Sequence, residues 1–376
     1  MLLILSAVIL LSLFVPAVAE ENTNNLNLNC QSAVLMEAST GRILYEQNPD
    51  AALPPASVTK IMTLLLVMEA IDSGNLALTD TLQASEYAAS MGGSQVFIEP
   101  NESMSVEDLL KSVVIASAND AAVVFAENIS GSVEGFVEKM NQKAKELGMV
   151  NTNFENPTGL DDNTVNHVTS ARDIAIMSRE LLKHSTILNY TNIWMDTIRN
   201  GEFGLTNTNR LIRFYKGANG LKTGSTSKAK FCISATAKRD GMQLIAVIMG
   251  SPTRDIRNDC AKKMLDYGFA NYSIANYKEG SAGAVKVLGG KKEQIDTYYQ
   301  SSSMLVGKGE NKNIKKTVML PDSVSAPIKA GDKLGEIIYT LNGNEINKIN
   351  ITAGESVSRL SYMDVIGKMI KKLFLV

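Results

Sequence analysis

The sequence predicts an α+β fold in which helices pack against an antiparallel sheet, followed by a small all-β domain and a terminal amphipathic helix. Hairpin strands and helices are both predicted within residues 30–271, and short strands separated by glycine turns are predicted throughout residues 276–355. A helical period returns at the end of the chain. We therefore divide the chain into an export signal (1–19), a large α+β domain (20–275), an all-β domain (276–358) and the terminal helix (359–376).

Residues 1–19 are typical of an export signal. Leu2 to Val15 is nearly all apolar, and Ala17-Val18-Ala19 before Glu20 has the small-x-small form of a cleavage site. No Lys or Arg precedes the apolar run, so an upstream start is one expectation, and a retained membrane anchor is the alternative to cleavage. Both alternatives place the remaining chain outside the cytoplasm.

The predicted elements of the large domain follow from local signals. Gly41 marks the turn of the first hairpin, and Ser73-Gly74-Asn75 stops the first helix. Ser105 is the expected N-cap of the next helix, with Asp108 three residues on. In chain order we expect a hairpin (31–37 and 42–47), helices at 54–72 and 105–116, helices beginning near 118, 135 and 170, strands at 231–237 and 242–250, and a helix at 259–271.

Strands and then a helix are predicted after residue 276. The dipeptide Asn342-Gly343 between two apolar runs is a strong hairpin signal. In the last segment, apolar residues recur at three- and four-residue steps with lysines on the other side, which suits attachment to an anionic membrane surface. The alternatives to membrane attachment are that this helix packs on the β-domain or forms a dimer interface. The expected strands are 284–288, 294–299, 316–320, 336–341 and 346–351, and the apolar helical positions are Tyr362, Ile366, Met369, Ile370 and Leu373.

Composition limits the classes of partner and cofactor. With 45% hydrophobic and 20% charged residues the chain is an ordinary globular protein, and a net charge of -2 gives no argument for nucleic acid. Cys30, Cys232 and Cys260 have neither metal-ligand spacing nor a disulfide framework, and a Cys232–Cys260 disulfide is the alternative to free thiols. No motif requires a metal or an organic cofactor.

Three motifs carry chemistry: Ser57-Val58-Thr59-Lys60, Ser117-Ala118-Asn119 and Lys222-Thr223-Gly224. Ser-x-x-Lys alone is weak, because it recurs at Ser225 and Ser227. Only Ser57 opens a helix, where Lys60 falls one turn later on the same face. Together the motifs supply a serine nucleophile, a lysine to take its proton, a second hydroxyl with an amide, and a cationic strand edge. They predict acyl transfer through a serine ester, against the alternative of a helix cap and solvated lysines.

With these motifs, the chain resembles a low-molecular-mass (class C) penicillin-binding protein, specifically a serine-type D-alanyl-D-alanine carboxypeptidase. The resemblance covers residues 30–275 and implies the penicillin-binding/β-lactamase-like transpeptidase fold for that domain. One departure is Thr158, where a histidine is expected. The resemblance extends through 55–63, Gly92-Gly93-Ser94, 105–110 and 116–122, and more weakly through the β-domain and terminal helix.

The resemblance implies removal of the terminal D-alanine from a peptidoglycan stem peptide, with Ser57 acylated and neutral Lys60 as its base. Asn119 would hold Lys60, and Ser117 would pass a proton to the leaving amine. Lys222 would lower the pKa of Lys60. The expected oxyanion hole is the backbone N–H groups of Ser57 and Ser225, with Gly224 admitting the substrate, and the expected carboxylate ligands are Thr223 and Arg257, with Arg254 as a competitor.

Further expectations follow from the same resemblance. β-Lactam antibiotics are expected to acylate Ser57, at the extracytoplasmic face of the bacterial cell membrane. A D,D-endopeptidase or transpeptidase, a class A β-lactamase with Glu155 as its second base, and a non-catalytic wall-binding protein are the alternatives. His167 and His184 are expected to be structural, since no Gly-x-Ser-x-Gly elbow supports a Ser-His-Asp site.

Overall fold

The computed structural model describes residues 26–374, so the predicted export signal lies outside the described residues. Ten α-helices are assigned among them, with a 3-10 turn at Ala56–Thr59 and a π-helical turn at Ser112–Ala116. The helices are α1 (Lys60–Asp72), α2 (Glu86–Ala89), α3 (Val106–Lys111), α4 (Asn119–Ser130), α5 (Val133–Glu146), α6 (Ala171–Leu181), α7 (Leu188–Thr191), α8 (Leu211–Phe214), α9 (Arg254–Asn271) and α10 (Tyr362–Phe374).

The strands form one sheet in the large domain, one in the β-domain and three short pairs. They are β1 (Ser32–Glu37), β2 (Ile43–Gln47), β3 (Thr81–Gln83), β4 (Ser103–Ser105), β5 (Met195–Ile198), β6 (Phe203–Thr206), β7 (Ala218–Thr226), β8 (Lys230–Arg239), β9 (Met242–Ser251), β10 (Tyr272–Tyr277), β11 (Gly280–Leu288), β12 (Gln294–Tyr299), β13 (Ser302–Gly307), β14 (Ile314–Met319), β15 (Ser323–Ser325), β16 (Lys333–Leu341) and β17 (Asn344–Ala353).

The sheet of the large domain is antiparallel and has the order β2-β1-β9-β8-β7. The N-terminal hairpin therefore lies beside strands from residues 218–251, and the predicted α+β class with strands from both chain ends is confirmed. Because successive strand residues face opposite sides, Val247 packs towards α1 and α6 whereas Ile248 packs towards α9. Helices thus cover both faces, and β7 remains as an edge strand.

The helices α1 and α4 bring their N-termini to this edge. Every residue of α1 from Lys60 to Met68 is buried, and so is every residue of α4 from Asn119 to Ala126. A helix buried on all sides is held by packing all round, so its first residues are fixed in space. The polar groups at the two N-termini are therefore placed rigidly beside β7.

Several strands are longer than expected, by up to four residues at one end, and two helices have clearly different boundaries. The helix predicted at 259–271 begins earlier, because Thr253 caps it by accepting a hydrogen bond from the Ile256 N–H. The helix predicted at 105–116 is capped by Ser105 as expected, but it changes to a π-helical turn after Lys111 and ends at Ser117, whose φ of 64° is left-handed. All three cysteines are free thiols, so the alternative Cys232–Cys260 disulfide does not form; Cys30 and Cys260 hydrogen-bond to each other.

The second domain is all-β apart from a short 3-10 turn, as expected, with the strand order β14-β16-β17-β12-β11-β15 and a separate β10–β13 pair. The predicted hairpin is present, and Asn342 and Gly343 have φ values of 52° and 86°. Such positive φ values at both central residues are those of a type I′ turn. Strands β10 and β13 received no prediction, because their pairing joins residues about thirty positions apart.

The terminal helix α10 leaves large apolar side chains in solvent. Tyr362, Met363, Met369 and Leu373 are 81%, 74%, 62% and 76% exposed. Between residues 26 and 374, no helix has both the length and the apolar character needed to cross a bilayer.

Candidate active site

The predicted serine–lysine pair is in direct contact. Ser57 lies in the 3-10 turn before α1, and the Lys60 Nζ is 3.1 Å from its Oγ. Lys60 is fully buried and its Nζ also lies 2.5 Å from Asn119 Oδ1 and 2.8 Å from the Thr158 carbonyl oxygen. Two further oxygen atoms, from Asn119 and Thr158, therefore hold the amine on the serine hydroxyl. The competing Ser225 and Ser227 lie at the end of β7 and in the turn after it.

The second hydroxyl is paired with the second lysine. Lys222 in β7 is buried, and its Nζ donates to Ser117 Oγ at 2.7 Å and to the Thr223 carbonyl at 3.0 Å. Ser117 is left-handed at the junction between the π-helical turn and α4. This strained backbone directs its side chain at β7 rather than along the helix.

Asn119, the first residue of α4, connects Lys60 to the loop at 92–94. Its Nδ2 donates to the Gly92 carbonyl at 2.6 Å, and its backbone N–H donates to the Ser94 carbonyl at 2.7 Å. Gly93 is left-handed (φ 78°), and a Cβ there would lie 2.7 Å from Asn119 Nδ2. The glycine therefore lets the loop close over the amide, which is fixed between the loop and Lys60.

Asp120 is a positioning residue to which the sequence analysis assigned no role. Its buried carboxylate accepts hydrogen bonds from the backbone N–H groups of Val96 and Ile98. It thereby holds the loop that follows Ser94. A signal was present, because a charged residue next to Asn119 and followed by an apolar run must be paired when it is buried.

Burial lowers the pKa of both lysines of the site. Burial, together with the charge of Lys222, lowers the pKa of Lys60 well below its usual value, against an opposing effect of Asp120. Burial and the charge of Arg257 lower the pKa of Lys222 to about 7. An amine must be neutral to accept a proton, so the lowered pKa favours the form of Lys60 that a general base requires.

The edge strand β7 lies directly against the backbone of the serine. A Cβ on Gly224 would be 2.8 Å from the Ser57 nitrogen and 2.9 Å from the Pro55 oxygen. The next residue, Ser225, is exposed on the same strand and lines the cleft with Ser57. This close approach brings the two predicted oxyanion-hole segments side by side.

The predicted carboxylate ligands lie in the same cleft. Thr223 lines the cleft and its Oγ1 donates to Thr208 Oγ1 at 2.8 Å. Arg257 is only 3% exposed and also lines the cleft, with its guanidinium held by Asn258 Oδ1 at 2.9 Å. Burial lowers its pKa to about 10, so it remains a cation at neutral pH. Arg254 lies one helical turn earlier, exposed at the rim.

These residues surround a cleft of about 610 Å³. Of the nine predicted site residues, Lys60, Asn119 and Lys222 lie beneath its floor and the other six line it. One wall of the cleft, which adjoins β7 through the Thr208–Thr223 contact, was not predicted from the sequence. As the only tryptophan of the chain, Trp194 was a detectable signal, because aromatic side chains commonly line ligand clefts. The missed lining residues are Trp194, Thr206, Asn207, Thr208, Arg210 and Phe214.

Thr158 occupies the position at which the family resemblance implies a histidine. Thr158 contributes its backbone carbonyl to Lys60, while its hydroxyl is bound to Asn156 Oδ1 at 3.0 Å. The Thr158 side chain therefore makes no hydrogen bond to the serine. Glu155, the second base of the β-lactamase alternative, accepts from the backbone N–H groups of Val165 and Asn166 and does not line the cleft.

Both histidines make structural contacts. His167 bridges Thr59 Oγ1, at 2.8 Å, and the Glu155 N–H, at 3.0 Å. His184 contacts Asp72 at the C-terminus of α1, which is the end remote from Ser57. Neither arrangement places an imidazole on the serine hydroxyl.

Comparison with known proteins agrees with this site. Residues 18–253 match the family described as D-alanyl-D-alanine carboxypeptidase, and residues 274–359 match the C-terminal domain of penicillin-binding protein 5. The chain is 46% identical over 350 residues to D-alanyl-D-alanine carboxypeptidase DacF of Bacillus subtilis, covering 91% of this chain and 90% of the relative.

Solved structures show the same architecture. Penicillin-binding protein 5 from Haemophilus influenzae is 33% identical, with a TM-score of 0.77 over 88% of this chain and 98% of that one. Penicillin-binding protein D2 from Listeria monocytogenes, solved in an ampicillin-bound form, is 33% identical, with a TM-score of 0.60 over 65% of this chain and 99% of that one. On this evidence the chain belongs to the D-alanyl-D-alanine carboxypeptidase family.

Proposed function

We propose that this protein removes the terminal D-alanine from peptidoglycan stem peptides that end in D-Ala-D-Ala, through an acyl-enzyme on Ser57. The observation that carries the proposal is the buried Lys60 amine 3.1 Å from the Ser57 hydroxyl, with a pKa lowered by burial and by Lys222. A serine hydroxyl is a weak nucleophile until a neighbouring base takes its proton. The names of the relatives support the substrate.

Acylation begins when Ser57 Oγ attacks the carbonyl carbon of the penultimate D-alanine and Lys60 Nζ accepts the hydroxyl proton. The backbone N–H groups of Ser57 and Ser225 donate to the resulting oxyanion. Each donor of this kind lowers a barrier by about 3 kcal/mol. The contact between Gly224 and the Ser57 nitrogen supports this pairing, since it keeps both donors on one side of the cleft.

The leaving D-alanine needs a proton on its amine. Ser117 is suited to deliver it, because its hydroxyl lies 2.7 Å from Lys222 Nζ, which can replace the proton. Asn119 keeps Lys60 in place and has an amide that can bind the acyl part of the substrate. After acylation Lys60 carries the serine proton and Lys222 has lost one, so a proton returns from Lys60 to Lys222 through solvent. Water then attacks the ester with neutral Lys60 again as the base, and Lys60 passes the proton to Ser57 Oγ as the shortened peptide leaves.

An exopeptidase must recognise the carboxylate of the residue that it releases. Arg257, with Thr223 beside it, is our choice for this role, because a buried guanidinium lining the cleft binds a carboxylate more strongly than an exposed one. A β-lactam presents a strained amide beside a carboxylate and should acylate the same serine. The ampicillin-bound relative supports this expectation.

We also place the protein at the extracytoplasmic face of the bacterial cell membrane, where peptidoglycan lies. The apolar side chains of α10 and its lysines support attachment to an anionic surface. Removal of residues 359–376 should release the protein from anionic vesicles and leave its hydrolysis of a soluble peptide unchanged. Equal vesicle binding by the truncated and full chains would contradict this role.

Intact mass after incubation with penicillin tests the acyl-enzyme, with Ser57→Ala as the matched variant. We expect an adduct on the wild type alone. In a separate assay without penicillin, the wild type should release D-alanine from a D-Ala-D-Ala peptide. Absence of an adduct on the folded wild type would overturn the mechanism. Rapid hydrolysis of the bound penicillin would favour a β-lactamase, and transfer of the acyl group to an amine would favour a transpeptidase.

A further inference from the structure

A second cavity lies at the far end of α4 from the active site. It has a volume of about 530 Å³ and is lined by β3, by the residues around α2 and by the turn between α4 and α5. None of its lining residues takes part in the site around Ser57. Its polar and aromatic lining residues are Gln83, Ser85, Tyr87, Asn101, Glu127, Asn128, Ser132 and Glu134.

The lining has the chemistry of a sugar-binding site. Tyr87 is 55% exposed, and amide and carboxylate side chains line the same cavity. Among residues 26–374, the side chain of Asn101 makes no hydrogen bond, and Asn128 Oδ1 and Glu127 Oε2 accept none. The cavity has two carboxylates and no cationic side chain, which disfavours an anionic ligand. Unused donors and acceptors beside an aromatic ring favour a neutral, polyhydroxylated ligand.

The cavity is linked to the active site by two rigid paths. The helix α4 begins with Asn119 on Lys60 and reaches the cavity at Glu127 and Gly131. With a rise of 1.5 Å per residue, eight to twelve residues span about 12–18 Å. The segment from Ser85, which lines the cavity, to Ser94, which lines the cleft, runs between the same two places.

This separation matches the length of the substrate that the proposed function requires. About four residues of a pentapeptide stem separate the scissile bond from the sugar that carries the stem, and four extended residues span about 14 Å. We infer that this cavity binds the N-acetylated amino sugar of the glycan strand while the stem peptide of that sugar occupies the cleft. The inference rests on the proposed function, because it uses the proposed substrate to connect the two sites.

The test compares a free D-Ala-D-Ala pentapeptide with the same pentapeptide attached to its N-acetylmuramyl sugar. For the wild type we expect kcat/KM to be about tenfold higher with the sugar, since each net hydrogen bond contributes about fivefold. Tyr87→Ala and Asn128→Ala should remove this advantage and leave the free peptide unaffected. Tyr298→Ala, which alters a comparably exposed tyrosine of the β-domain, is the matched control. Equal kcat/KM values for the two substrates in the wild type would overturn the inference.

A binding measurement separates failure of the inference from failure of the proposed function. Peptide-free N-acetylglucosamine oligomers should shift the NMR signals of residues 83–87 and 127–134 in the Ser57→Ala variant, and Tyr87→Ala should abolish the shifts. If no substrate is hydrolysed but these shifts occur, the sugar site stands and the peptidase proposal fails. If peptides are hydrolysed but the oligomers cause no shift, the sugar site is refuted and the peptidase proposal stands.

Discussion

Gly224→Ala tests whether the contact between β7 and the serine turn sets the rate of acylation. The new Cβ would lie 2.8 Å from the Ser57 nitrogen, 2.9 Å from the Pro55 oxygen and 2.9 Å from the Val58 nitrogen. All three are backbone atoms, so no side chain can turn away to relieve the contact. Ordinary contact begins at 3.4 Å, and β7 must therefore move away from Ser57 by roughly half an ångström or more.

The expected cost follows from the geometry of the oxyanion hole proposed above. Moving Ser225 on β7 away from Ser57 weakens one of the two N–H donors, and loss of one such donor slows acyl transfer by about a hundredfold or more. The assay is the second-order rate of acylation by a fluorescent penicillin, measured beside the thermal unfolding midpoint. Gly204→Ala is the matched control, because this strand glycine has no atom within 4 Å of its added Cβ. An acylation rate within about threefold of wild type in a stably folded Gly224→Ala protein would refute the reasoning.

Three other changes have expected outcomes. Lys222→Gln removes the charge that lowers the pKa of Lys60, so the acid limb of the pH profile of the acylation rate should move to higher pH. An unchanged acid limb would show that Lys222 does not affect the pKa of Lys60. Arg257→Gln should lower kcat/KM for a D-Ala-D-Ala peptide by about ten- to a hundredfold, more than penicillin acylation, because it removes a charge-assisted hydrogen bond. Arg254→Gln is its control, and equal loss of both activities in Arg257→Gln would contradict carboxylate recognition. Burial lowers the pKa of His167 from 6.5 to about 4, so the unfolded chain binds the proton more readily. The free energy of unfolding should therefore fall by about 3 kcal/mol between pH 6.5 and pH 4. In acid-unfolding titrations, His167→Gln should make the free energy of unfolding depend less on pH. An equal pH dependence in the variant and the wild type would assign the acid sensitivity to another group.

Local patterns were enough to predict the parts of the molecule whose geometry depends on near neighbours. Ser57 and Lys60 are one helical turn apart, so their contact follows from the helix that the apolar run predicts. The Asn342-Gly343 turn and the Ser105 cap were predictable for the same reason. The start of α9 at Arg254 was missed because Thr253 was not recognised as its cap.

Long-range packing decided the rest. The sequence named Asn119 and Lys222 as site residues, but they meet Lys60 and Ser117 across 59 and 105 positions, and only the folded chain fixes those distances. A lowered pKa was expected from the sequence for Lys60 alone, whereas the pKa of Lys222 is lowered as well, and the full burial that lowers both belongs to the tertiary structure.

The sequence by itself thus determined the residue types of the reaction, their order and the helices and hairpins that carry them. Only the tertiary structure decided that the Thr158 carbonyl holds Lys60, that Asp120 fixes the neighbouring loop and that Trp194 lines the cleft. These contacts join segments distant in sequence through backbone groups and loop side chains, which leave no periodic pattern along the chain. Their positions are set by the close packing of α1 and α4 against the edge of the sheet, and that packing exists only once the chain has folded.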